Sequence, residues 1–480
     1  MKKQTLATML WGLGATTSGE AFAEEAIEFF VDRKTKQIFA EPGPGRDRLG
    51  KFVQVDETTV TKVPGTATGA DPTPPSQAPA PTVVAPAVAA APAPAKTEAT
   101  SKKWYDHLSL RGYLQMRYNH GIGEDASLLR SPGDRFIGDD QTMGLRRARL
   151  VISGDIADNV SIYLQPDFAS TPTGSSTSNF AQLRDAYADI YFDPQREYRV
   201  RAGQSKIPYG WENLQSSQNR LAFDRADALN AGIRDERDMG VFFYYTPSEI
   251  RSRFQYLVKS GLKGSGDYGV VGVGIYNGQG ANRAERNGEM HAIVHLTYPF
   301  KFDNGQYLEV GADAYSGRFK VATPAPITVG KRNVTPVDTS SKNGTLDQRV
   351  AVHAIYYPQP FGLQAEWTVG RGPQLDFDKG IIRTRSLRGG YVQAMYKLDT
   401  RHSGTWLPYL RWQTYRGAAK FDTNNPRMLV DETELGVEWQ PSNAIEITMA
   451  YANMRRTNVT ASPYSVLRGD LFRMQLQVNY

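Results

Sequence analysis

An all-β, transmembrane antiparallel barrel of sixteen strands is the fold this sequence predicts. Three observations predict it: an unbroken two-residue alternation at the C-terminus, recurrence of that alternation along the chain, and connections that switch between short and long. Phe472, Met474, Leu476, Val478 and Tyr480 point one way, while Arg473, Gln475, Gln477 and Asn479 point the other. A strand has a side-chain period of two, so the segment has one oily and one polar face. About nine residues suffice for a tilted strand to cross the hydrocarbon core of a bilayer. The terminal aromatic ring suits the membrane–water boundary.

The N-terminus has the layout of an exported protein. Lys2 and Lys3 precede a modestly apolar stretch, Leu6 to Gly14, and the small-residue pattern Ala21-Phe22-Ala23. This reads as a signal peptide over residues 1–23. Residues 24–63 read as a small hairpin segment, with Ile27 to Val31 and Gln37 to Ala40 flanking a polar turn. Residues 64–101 are dominated by Pro, Ala and Thr and read as an extended tether. Residues 102–480 form the barrel.

No apolar run approaches the length of a spanning helix, and the mean hydropathy of −0.48 looks soluble. A barrel has that signature, because each lipid-facing residue is diluted by a lumen-facing one. Cysteine is absent, which removes disulfides, thiolate metal sites and cysteine nucleophiles. A net charge of +6 hints at anionic solutes.

The first strand, Leu108 to Tyr118, turns Leu108, Leu110, Leu114 and Met116 outward and Arg111, Gln115 and Arg117 inward. The second turns Ala148, Leu150, Ile152 and Ile156 away from Arg147, Arg149, Ser153 and Asp155. Thirteen further strands are read from 160–168 through 445–453, including 363–370 and 387–397, and the last covers 467–480. Residues 250–259 would make a seventeenth, but Ile250, Phe254, Leu257 and Val258 recur at helical spacing. Thr246-Pro247-Ser248-Glu249 reads as a capping box, and Gly261 as the stop. Setting this helix aside leaves sixteen strands, with eighteen the alternative, and puts both barrel ends on the short-turn side.

In a barrel the chemistry lies on the inward faces. Arg111, Arg117, Arg147, Arg149, Arg199 and Arg201 line the early strands; Glu309, Asp313, Glu366, Glu434, Glu438 and Glu446 line the later ones. Arginine suits anions because its planar fork binds phosphate or carboxylate oxygens in pairs. The same arginines would otherwise pair with Asp185 and Asp189. The long segment 207–238 carries Ser216, Ser217, Arg220, Arg225, Arg234 and Arg237 among acidic residues, and either constricts the pore or lies over the rim. His291 and His295 share one lumen face too far apart for easy joint metal ligation. No cofactor is implied, and dispersed cations argue against a nucleic-acid partner.

Several motifs in series carry a family resemblance: Arg147-x-Arg149-Leu150, Asp185-Ala186-Tyr187, Gly203-Gln204-Ser205-Lys206-x-Pro208-Tyr209-Gly210-x-Glu212, Arg237-Asp238-x-Gly240-Val241, and Tyr276-Asn277-Gly278. In this order the sequence resembles the phosphate-selective porin O and P family over roughly Leu108 to Tyr480. The resemblance implies a homotrimeric porin of the bacterial outer membrane, surrounded by lipid and lipopolysaccharide, whose third loop narrows the pore. In phosphate-specific members, lysines on that loop and an arginine ladder select anions. Here Lys206 stands at the start of the loop, and no lysine occurs between Ile207 and Asp238. The expectation is passive diffusion of small polar solutes with weak to moderate anion preference. It is set by Arg111, Arg147, Arg149, Arg199, Arg201, Lys206 and the loop residues Ser216, Ser217, Arg220, Arg225, Arg234 and Arg237. The competing class is an outer-membrane enzyme or adhesin whose barrel is only an anchor.

Overall fold

The computed structural model describes residues 27–32, 38–39, 44, 46–52, 104–125, 128–129, 143–170, 179–329, 331–338, 342–458 and 466–480. The expected signal peptide and the Pro/Ala tether lie outside the described residues.

The chain divides into two units, 1–96 and 97–480. In the first, Ile27–Asp32 pairs antiparallel with Ile38–Phe39, as expected, and also with Arg46–Phe52. That third strand is not foreseen, because its alternating Arg46, Arg48 and Gly50 carry no apolar face to announce it.

In the second unit sixteen main strands close into an antiparallel barrel among the described residues. They are β1 Leu108–Ile122, β2 Met143–Ala157, β3 Val160–Ser170, β4 Phe180–Tyr191, β5 Tyr198–Lys206, β6 Arg237–Tyr245, β7 Val271–Tyr276 and β8 His291–Lys301, followed by β9 Tyr307–Phe319, β10 Thr345–Tyr356, β11 Phe361–Asp376, β12 Ile381–Tyr396, β13 Gly404–Ala418, β14 Arg427–Ser442, β15 Ile445–Asn458 and β16 Val466–Asn479. Two short segments, Val337–Asp338 and Leu398–Thr400, pair onto the ring.

Every strand that the alternation marks is present with its faces as read. Phe472, Met474 and Leu476 are exposed on the outside, while Arg473, Gln475 and Gln477 are buried within. Register is held this firmly because a slip of one residue would turn every oily side chain inward. At the short-turn ends, exposed aromatics gather: Phe192, Tyr198, Phe302, Phe361, Tyr396 and Tyr480. Amphipathic rings settle at the headgroup level, so this row marks one membrane boundary.

The segment after β6 is the helix α3, Ser248–Lys259, which follows α1 Trp211–Leu214 and α2 Asp227–Asn230 in the chain. It forms as its spacing predicts, and Gly261 ends it in the left-handed region at φ 70°. The capping box does not form. The Thr246 hydroxyl donates to Asp267 at 2.8 Å, and the helix is capped from outside by Glu197, which accepts from the Ser248 amide at 2.8 Å. A carboxylate from the neighbouring turn outcompetes the local hydroxyl because charge-assisted bonds are stronger.

A second difference concerns β11 and β12. Their pairing continues past the expected ends to Asp376↔Ile381, so residues 371–376 and 381–386 are also strand, joined by a turn over 377–380. Leu375, Phe377 and Ile382 bury there against Phe319 at the end of β9 and Val321 and Ile327 of the β9–β10 connection, which forms its own hairpin, Ile327–Val329 with Arg332–Val334. This apolar cluster above the ring extends the strands beyond what a membrane requires.

The barrel closes by pairing β16 with β1, from Asp470↔Ile122 to Asn479↔Tyr113. Tyr480 finishes the seam: its amide donates to Gly112 O at 3.0 Å, Gly112 donates back at 2.7 Å, and its hydroxyl donates to Arg149 O at 3.1 Å. A Cβ at Gly112 would lie 2.3 Å from Arg149 O and 2.5 Å from the Tyr480 ring. We therefore expect Gly112→Val to lift Tyr480 off the seam and cost about 2 kcal/mol or more. The check is the temperature at which the folded barrel converts to its unfolded gel mobility; an unchanged midpoint would show that the ring does not depend on this approach.

Candidate functional site

The third loop, residues 207–236, leaves β5 and turns into the lumen. Residues 207–215 and 220–233 are buried throughout. Gly210 makes the turn: its φ of 79° lies in the left-handed region, and a Cβ there would meet Leu229 Cδ1 at 2.6 Å. Two single-turn helices follow, α1 Trp211–Leu214 and α2 Asp227–Asn230.

Backbone amides carried into a barrel need acceptors, because an unpaired buried donor is costly. The acidic wall supplies them. Gly210 N donates to Asp313 Oδ2 at 2.7 Å, Trp211 N to Glu366 Oε1 at 2.6 Å and Glu212 N to Glu366 Oε2 at 2.8 Å. The acids of β9 and β11, expected on inward faces of the later strands, thus hold the loop's first helical turn.

Ion pairs fasten the remainder. Arg411 of β13 grips Glu212 with both Nη atoms, at 2.6 and 3.0 Å. Arg473 of β16 and Arg117 of β1 converge on Asp224 at 2.6 and 3.3 Å. Arg456 of β15 bridges Asp227 and Glu432, each at 2.6 Å. Packing adds to these bonds. Tyr209, Ala228 and Leu229 join Tyr244, Tyr315, Tyr391 and Tyr415; Leu221 and Phe223 pack on Leu407 and Tyr409. Trp211 packs on Tyr357 and on Leu257 of α3, so the helical turn underlies the loop from the short-turn side. Inward-facing positions are accordingly more aromatic than a water-lined wall predicts, because the loop gives them something dry to touch.

The site residues expected from sequence separate into two groups. Arg149 pairs with Asp167 at 2.8 Å, Arg201 with Asp189 at 2.8 Å, Arg199 with Asp267 at 2.8 Å and Arg237 with Asp185 at 2.9 Å. Arg225 pairs with Glu236 at 2.9 Å. Burial alone would raise the Glu236 carboxyl, but Arg225, Arg237 and Arg184 outweigh it and hold it below the usual carboxylate range. The charge of these cations is matched where it stands.

Arg147, Lys206 and Arg220 differ, for none forms an ion pair among the described residues. Arg147 Nη1 donates to Gln115 Oε1 at 2.7 Å, and Gln115 donates to Ser217 O at 3.1 Å, joining β2, β1 and the loop. Lys206 Nζ donates to Leu214 O at 2.8 Å and Gln215 O at 2.9 Å. Arg220 donates to Ala222 O at 2.8 Å and Phe223 O at 2.6 Å. Arg147 feels the charge of Arg146, Arg149 and Arg220. Burial, and after it the charge of Arg225, lowers the Arg220 guanidinium to about 9. Arg147 Nε and Arg220 Nη1 are buried without a partner among the described residues.

Ser216 only caps its own turn, accepting from the Gln218 amide at 3.3 Å. Arg111 is exposed at the short-turn end of β1, over the Tyr163 ring at 5.7 Å. Arg234 starts a short 3-10 turn, and its side chain lies outside the described residues. Sequence reading passed over Arg349, Arg411, Arg456 and Lys420. The first three stand on inward positions of the same alternation that revealed the early arginines. Lys420 comes from the β13–β14 connection and reaches Asp347 at 2.8 Å; no periodicity points to it. Among the described residues no cluster of metal-ligating side chains occurs.

A sixteen-stranded barrel with an oily exterior and a loop folded across its lumen has the architecture of a porin of the bacterial outer membrane. The chain belongs to the phosphate-selective porin O and P family, whose model matches residues 116–480. Solved structures are similar to the chain at low identity. OmpT, an outer membrane protein of Vibrio cholerae, is 10% identical, with 78% of this chain and 97% of that one covered at a TM-score of 0.47. The outer membrane channel DcaP of Acinetobacter baumannii is 12% identical, with 78% and 97% covered at 0.43. An anion-selective porin from Comamonas acidovorans is 11% identical, with 78% and 99% covered at 0.43. No curated protein matches the chain by sequence.

Removing one partner of a buried ion pair leaves the other uncompensated, at about 3–5 kcal/mol. Glu212→Gln is thus expected to loosen the loop from Arg411 and raise single-channel conductance measurably while the barrel stays folded. Conductance equal to the parent protein would mean that the Glu212–Arg411 clamp does not set the constriction.

Proposed function

We propose that the barrel is a passive channel for small hydrophilic solutes, with weak to moderate preference for anions such as phosphate and with no covalent step. The observation that carries this is the trio Arg147 on β2, Lys206 at the end of β5 and Arg220 on the third loop, cations without carboxylate partners among the described residues. Other wall cations are neutralised by neighbours and contribute little net field. An unbalanced cation in a narrow, partly dehydrated passage acts far more strongly than one in bulk water. A guanidinium with unbonded N–H groups also offers fork-like donation to phosphate or carboxylate oxygens.

The loop has no lysine between Ile207 and Asp238, so selectivity rests on arginine and on the single Lys206 at its start. Arginine binds by direction and lysine as a point charge, and a few such groups among many neutralised ones give preference, not exclusivity. We also infer a homotrimer embedded in lipid and lipopolysaccharide, as membership of the family implies; cross-linking in native membranes tests the stoichiometry.

Reversal potentials across a planar bilayer in a salt gradient test the selectivity. The parent protein should favour anions, and Arg147→Gln with Arg220→Gln should lower the anion-to-cation permeability ratio several-fold. Cation selectivity in the parent protein would falsify the anion reading. Absence of any conductance from folded protein would make the barrel an anchor, for an enzyme or adhesin.

A further inference from the structure

Pairing between β12 and β13 ends at Arg388↔Arg416. Above that pair, at the long-loop side of the ring, a cavity of about 500 Å³ opens between the strands. Its lining includes Gln374, Arg385, Ser386, Arg388, Arg416 and Arg427. Arg388, Arg416 and Arg427 stand on the outward face, as their register with Val392, Trp412 and Leu429 requires, and all three are exposed.

The electrostatics of this cluster are lopsided. Arg388 and Arg416 are directly opposed across the strands, an arrangement of like charges that destabilises a sheet. Arg427 is diagonal to Arg416, since Arg416 pairs with Leu429. None of the three forms an ion pair among the described residues. The nearby acids are engaged: Asp376 takes Arg383 and, at 3.2 Å, Arg385, and Asp431 accepts from the Trp412 indole at 3.0 Å.

The position decides what kind of anion would meet these groups. Val392, Leu410, Trp412 and Leu435 are exposed on the same outward face below the arginines. Arg416 is four residues beyond Trp412, about 13 Å along the strand. The three guanidinia therefore stand just past the apolar band, at headgroup depth in the outward leaflet, and face away from the lumen. We propose that this cavity binds the phosphate groups of a phosphorylated glycolipid in that leaflet. Adjacent planar forks suit phosphomonoesters, which accept paired N–H bonds, and basic pockets at the membrane surface retain anionic headgroups.

The test uses the folded full chain in neutral detergent and measures retention of lipid A, bisphosphorylated or dephosphorylated, by native mass spectrometry. The parent protein should retain the bisphosphorylated form at least tenfold better. Arg388→Gln, Arg416→Gln and Arg427→Gln combined should abolish that difference, with conductance and unheated gel mobility unchanged. The matching triple Lys variant should keep most of it. If the triple Gln variant fails to fold, Arg416→Gln alone should reduce the preference several-fold.

Equal retention of both lipids by the parent protein, or no loss in the Gln variants, overturns the assignment. So does displacement of the lipid by millimolar inorganic phosphate, which would mark a site for free anion. If the Gln variants instead change the subunit number on cross-linking, the arginines belong to a protein interface and the lipid site fails. None of these results bears on the pore, because the lumen is untouched.

Discussion

Folding the third loop into the lumen forces the acceptor problem that organises the interior. A segment without long helices brings its backbone amides into a space sealed from bulk water on most sides, and each needs a partner. Glu366 takes two of them and Asp313 a third. Once those carboxylates are committed to the loop, Glu212 is set down beside Arg411, Asp224 between Arg117 and Arg473, and Asp227 beside Arg456. The wall and the loop are then one polar network, in which removing a member exposes the charge of another.

That network explains why so little of the lumen's charge is available. A row of inward arginines suggests a strongly positive pore, yet most of them meet a carboxylate within about 3 Å. Among the described residues the buried site cations left without a carboxylate are Arg147 on β2, Lys206 at the end of β5 and Arg220 on the loop. The anion preference proposed above would, on this footing, be modest. The hydrophobic contacts work in the same direction: Trp211 against α3 and Tyr209 among the wall tyrosines narrow the space in which those few charges act.

The barrel itself was legible because alternation is redundant. Each strand repeats the same two-faced pattern several times, so one misread residue changes nothing, and helical spacing together with parity separates α3 from the strands. Interruptions of that pattern were harder. β11 and β12 run on past the membrane because Leu375, Phe377 and Ile382 find partners in a distant connection, and Thr246 gives up its cap to Asp267 because Glu197 arrives from another turn. The Arg46–Phe52 strand carries no apolar alternation at all. In each case the deciding partner is remote in sequence.

For the channel the division is similar. Sequence by itself determined the sixteen-stranded barrel, the inward arginines and acids and the family resemblance, since these follow from period-two patterning and local motif order. Only the tertiary structure decided that the third loop enters the lumen and which cations stay unpaired. The physical reason is that a charge is neutralised by whatever lies within a few ångströms, and Asp224 meets Arg473 across 249 positions of sequence. Periodicity sets which way a side chain points; the fold sets what it finds there.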